Sequence, residues 1–134
     1  MIIPNRTVVA VADGQTLRLF RNKGHEPRIE LVAMPDPDLE IGNQGSGTRH
    51  RSSTANPDKA RLHEDNFAAA AASYLNRQAL SGDIEQLIVI ADPRTLGEMR
   101  RHFHDALVAK LVGDVPKNLT DHDVRAIETA LERA

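Results

Sequence analysis

The period of the apolar positions changes several times along the chain, and each change marks an element. Leu87-Ile88-Val89-Ile90-Ala91 is an unbroken apolar run in which three residues are β-branched. No polar alternate remains to meet water, so the run reads as a strand buried on both faces. It stops at Asp92-Pro93. An aspartate there can accept from the orphan amides of a following helix, and proline suits the first helical position, where its missing N–H costs nothing. Leu96, Met99 and Phe103 then recur at helical spacing. A strand that turns directly into a helix makes the chain α/β in character, and the remaining elements have to cover this strand.

Upstream, Thr7 to Ala12 and Gln15 to Arg21 are β-like runs on either side of Asp13-Gly14. That dipeptide populates φ > 0 cheaply and is a strong hairpin signal. Leu17 and Leu19 fall on one face of the second run, Arg18 and Phe20 on the other. After a turn at Gly24-His25-Glu26-Pro27, Arg28 to Met34 gives a third strand with Ile29 and Leu31 inward, completing an antiparallel meander. Residues 35 to 57 lose all periodicity. With three glycines between Gly42 and Gly47 and hardly an apolar side chain, this long stretch reads as a mobile surface loop. Lys59 to Leu80 reads as a helix with Phe67, Ala70, Ala71, Tyr74 and Leu75 at helical spacing, ended by a left-handed cap at Ser81-Gly82. Lys110 to Pro116 reads as a short edge strand. Thr120-Asp121-His122-Asp123 reads as a capping box for a last helix carrying Val124, Ile127 and Leu131 on one stripe.

The 134 residues suffice for one domain with a real core, read as a single unit over 1–134. A net charge of −2, from 17 basic and 19 acidic side chains, supplies no global field for nucleic acid or an anionic membrane, so any such binding must be local. Without cysteine, a disulfide framework, a thiolate zinc site and thiol redox chemistry are excluded. Met1-Ile2-Ile3-Pro4-Asn5-Arg6 has none of the features of a signal peptide, and no apolar run approaches a membrane span. A cytoplasmic protein with no membrane partner is the expectation. Three of the four aromatics, with no tryptophan among them, occupy core-like positions, which argues against a single-strand reader of the stacking type.

Three antiparallel strands, a helix, and two more strands separated by a helix are the order of an RNase H-like three-layer fold, a mixed five-stranded sheet covered by helices. Val9-Ala10-Val11-Ala12-Asp13-Gly14 with Leu17-Arg18-Leu19-Phe20, Phe67, the run from Leu87 to Arg100, and Pro116-Lys117-Asn118-Leu119-Thr120 together resemble the bacterial host-attachment protein family. That family is similar to the middle domain of archaeal and eukaryotic peptide-chain release factors. The resemblance implies attachment to host cells as a setting and translation as an ancestry, with no known reaction.

Release factors carry Gly-Gly-Gln in the loop before the long helix, and the resemblance places Gly42-Asn43-Gln44 there, making Gln44 the candidate for peptidyl-ester hydrolysis. Glycines in such a loop let the backbone approach the ester, and Asn43 departs from that pattern. Arg49-His50-Arg51, set among glycines, is a basic cluster whose guanidinium forks match phosphate oxygens. Family members often show a Gly-Arg step in this loop; Gly47-Thr48-Arg49 is one residue off. Gly42, Gln44, Gly47, Arg49, His50 and Arg51 are therefore the candidate binding residues. A two-metal nuclease needs several converging carboxylates, whereas Asp13 reads as a turn residue and Asp92 as a cap. His102 and His104, two apart on one predicted helix, diverge by about 200° and cannot share an ion. The expectation is a binding module without metal or cofactor that contacts RNA, the ribosome or a partner protein. The alternatives are a peptidyl-tRNA hydrolase using Gln44 and a regulatory homodimer formed through an exposed sheet edge.

Overall fold

A computed structural model describes residues 1–39 and 57–134. Strands β1 (Val8–Ala12), β2 (Leu17–Asn22), β3 (Leu31–Ala33), β4 (Leu87–Ala91) and β5 (Leu111–Val115) form one sheet in the order β3-β2-β1-β4-β5. The first three are antiparallel neighbours, whereas β4 runs parallel to β1 and β5 parallel to β4. Helices α1 (Pro57–Ser81), α2 (Pro93–His102), the short α3 (Asp105–Val108) and α4 (Val124–Arg133) complete the described elements. This is the mixed, three-layer α/β arrangement that the element order predicts.

The strand alternation divides the core in two. Val8, Ala10 and Ala12 of β1 and Leu87, Val89 and Ala91 of β4 share a cluster with Phe67, Leu75, Leu96, Met99 and Leu107 from α1, α2 and α3. Val9, Val11, Ile88 and Ile90 turn to the other face, where they meet Phe20, Leu31, Ile127 and Leu131. Every residue of β1 and β4 is buried, so these two strands are the middle layer of a sandwich whose outer layers are helical. Ala10, Ala12 and Ala91 share their cluster with Ala68, Ala71 and Ala72 of α1. Small side chains on both partners let the helix lie close to the sheet, which explains why the long helix is built on alanine.

Four local expectations are corrected. First, the hairpin does not use φ > 0 at Gly14: among the described glycines only Gly82, the cap of α1, is left-handed, at φ +89°. The turn is closed instead by the Asp13 side chain, and Gly14 is demanded by Glu64 of α1, whose Cγ would lie 2.7 Å from an added Cβ. Second, β3 starts at Leu31 and not at Arg28, because the backbone amide of Glu30 is taken by the Asn22 side chain and that of Leu31 by Glu128 of α4. Third, α4 is capped by Asp123, which accepts from the Ala126 amide at 2.9 Å, and Thr120 points elsewhere. Fourth, α2 ends at His102, and His104 caps α3 by accepting from the Ala106 amide, so the two histidines do not share a helix. No described helix is long and apolar enough to cross a membrane.

Candidate functional site

In a sheet of this kind ligands are met at the carboxyl ends of the parallel strands, where loops diverge around a switch point. Ala12 pairs with Ala91 at the ends of β1 and β4, so Asp13 and Asp92 leave the sheet side by side. The segment after β5 brings Asn118, Leu119 and Thr120 to the same edge. Asp92 caps α2 by accepting from the Thr95 amide at 3.1 Å, with Pro93 opening the helix.

Asp13 is held from both sides. One carboxylate oxygen accepts from the Gln15 and Thr16 amides, each at 2.7 Å, and from the Thr16 hydroxyl at 3.0 Å. The other accepts from the Thr120 hydroxyl at 2.8 Å, across a separation of 107 residues. Burial acts to raise the pKa of this carboxyl, but the bonds from Gln15, Thr120 and Thr16 together outweigh it and hold the group below the usual carboxylate value. Thr120 is fixed in turn by Asn118, whose side-chain oxygen lies 2.9 Å from the hydroxyl and 3.3 Å from the amide. Arg18 closes the frame: its guanidinium lies over the Phe20 ring and donates to the carbonyls of Thr120 at 2.9 Å and His122 at 2.8 Å.

Such a carboxylate is a fastener. Its oxygens are already occupied by four donors, and a lowered pKa makes it a poor base at neutral pH. Among the described residues, no three His, Cys, Asp or Glu side chains come together in a way that could hold a metal ion. The Thr120 contact was illegible in the sequence, where Thr120 reads as a cap.

Beside this frame lies a hollow of about 310 Å³, lined by Gln15, Thr16, Arg18, Asp36, Leu39 and Phe67 among others. Leu39 is the last residue described before the stretch 40–56. The early turns of α1, which follows that stretch, lie at this same edge through Glu64 against Gly14 and Asp65 at 2.8 Å from Arg94. The candidate residues Gly42, Gln44, Gly47, Arg49, His50 and Arg51 all lie outside the described residues, as does most of the predicted 35–57 loop. What the structure does place at the carboxyl edge of the sheet is Leu39, which precedes them in the chain, and Glu64 and Asp65 of the helix that follows them.

No curated protein matches the chain. The model of one protein family does, over residues 6–131, a span that includes every described strand and the whole Asp13–Thr120 frame. With the match running over nearly the full length, the chain belongs to the bacterial archaeo-eukaryotic release factor family 12.

Proposed function

We propose that the protein is a non-catalytic, release-factor-like binding module that contacts RNA, in the first instance ribosomal RNA, through the stretch from Gly42 to Ser53. The observation that supports binding over catalysis is the state of Asp13, the one acid on the first hairpin, which is committed to four internal hydrogen bonds. Leu39, which precedes the 40–56 stretch, lies in the hollow beside this frame, and Arg49 and Arg51 supply charges suited to phosphate. Attachment to host cells, implied by the resemblance above, enters this reading only as a consequence of such a contact.

Sedimentation with ribosomes across a salt series tests it. The double substitution Arg49→Ala with Arg51→Ala should weaken association and flatten its salt dependence, because two fewer phosphate contacts release fewer counterions. Unaltered association at every salt concentration would refute the proposal. A second reading has one observation in its favour: Gly42-Asn43-Gln44 stands between β3 and the long helix, in a member of a release-factor family. Loss of peptidyl-tRNA hydrolysis in Gln44→Ala, with ribosome association retained, would favour it.

A further inference from the structure

At the opposite, amino end of β1 and β4 lies a larger cleft of about 690 Å³, between the last turns of α1 and the start of the hairpin. Three cations line it: Arg6, Arg21 and Lys23. Among the described residues none of the three makes an ion pair, and Arg21 donates only to the Arg6 carbonyl, at 3.3 Å. The opposing wall carries one acid, Asp83, which takes a bond from Ser81 at 3.1 Å. Leu19, Met34 and the half-buried ring of Tyr74 contribute apolar surface between the walls. Neither the Tyr74 hydroxyl nor the Gln78 carboxamide has a hydrogen-bond partner among the described residues.

The rim is built, not incidental. Asn22, fully buried, donates through its side chain to the carbonyls of Ile3 and Pro4 and accepts from the amides of Gly24 and Glu30. Its main chain bonds Arg6 and Thr7 as well. One side chain thus ties together the two segments that carry Arg6 and Lys23. Arg6 itself sits at φ +76°, a left-handed conformation that glycine or asparagine takes more cheaply. Backbone strain of this kind persists where the surroundings over-determine it, and it clusters at ligand sites.

From this geometry we infer that the cleft binds a nucleoside phosphate, either free or as one nucleotide of a strand. Unpaired arginines and a lysine on one wall match a phosphate group. An aromatic ring and a thioether between the walls match the face of a base. Asp83 and Gln78 on the far wall offer acceptors for an exocyclic amine, which orients the ligand with phosphate toward the strands and base toward α1. The volume falls within the range of small-molecule sites. An acidic peptide would satisfy the cations but leave the ring and the Asp83 wall without a partner.

Tyr74 is the sole tyrosine, so its ring resonances report on the cleft alone. Titration with adenosine 5′-monophosphate, followed by NMR, should shift them saturably. Arg21→Ala combined with Lys23→Ala should weaken binding at least about tenfold, the loss of a charge-assisted hydrogen bond, with the melting temperature retained. Uridine 5′-monophosphate, lacking the exocyclic amine, should bind more weakly. A short oligoadenylate distinguishes the sources: saturation by it as well assigns a nucleotide within a strand, and saturation by the mononucleotide alone assigns a free one. If neither ligand moves Tyr74, or if inorganic phosphate displaces the mononucleotide at equal concentration, the inference is overturned. Arg49→Ala with Arg51→Ala should leave this titration unchanged, so that its failure and that of the carboxyl-edge contact are read separately.

Discussion

The two ends of the sheet handle polar groups in opposite ways. At the carboxyl end, Asp13, Thr120, Asn118 and Arg18 satisfy one another and the neighbouring backbone. At the amino end, Asn22 is equally saturated, yet the cations on the segments that it ties together make no ion pair among the described residues. Both regions are hydrogen-bonded at their base and differ in what they leave unmet. A saturated cluster specifies architecture, because its groups gain nothing further from a ligand. Cations left without an ion-pair partner beside an apolar floor can still gain from a bound anion, and that difference separates framework from site.

The most severe way to break the comparison is to remove the layer that both ends share. Val89→Asp places an unpaired carboxylate in a strand with no exposed residue, and the expected result is an unfolded protein, since the desolvation of that charge rivals the stability of a whole domain. A cooperative melt of this variant by circular dichroism would show that β4 is not the middle of the core.

Asn22→Ala should come next. It leaves the amides of Gly24 and Glu30 and two carbonyls without their partner, at a cost of about 3 kcal/mol in urea denaturation. The loss should include the Tyr74 response to nucleotide, because the cleft's rim loosens with the fold.

Asp13→Ala should cost less, about 1 to 2 kcal/mol, as for removal of a capping carboxylate. The pH dependence gives its sign. The folded pKa lies below the ordinary value of 3.8, so the stabilisation is complete above that value and disappears as the pH falls through the lower, folded one. Wild type and Asp13→Ala should therefore converge in stability under acid and differ most near neutrality. Equal stability at neutral pH would remove Asp13 from the frame.

The smallest effect is the sharpest. Arg6→Gly relieves the left-handed backbone but gives the unfolded chain more freedom, and the balance should be a gain of about 0.5 kcal/mol. Nucleotide affinity should fall at the same time. A gain in stability joined to a loss in binding would mark the strain as a property of the site; a loss of both would mark Arg6 as structural.

The sequence alone determined the secondary elements whose signals are local. Five apolar residues ending at Asp92-Pro93, the alanine-rich helix and its glycine cap, and the stripe of Val124, Ile127 and Leu131 each state their own conformation, because burial on a strand or a helix imposes a period that neighbours along the chain must share. Arg49 and Gln44 are legible in the same way, as residue types among glycines, though only their chemistry and not their placement can be read there. What the tertiary structure decided is everything that rests on distance in space. Thr120 reads as a cap and becomes a partner of Asp13; Gly14 reads as a turn glycine and is required by Glu64; Asn22, Arg6 and Lys23 carry no sequence signal at all. The physical reason is common to these cases. A hydrogen bond, a steric limit or a cluster of charges depends on which groups the fold brings within a few ångströms, and a short polar side chain fits many local roles until its distant partner selects one.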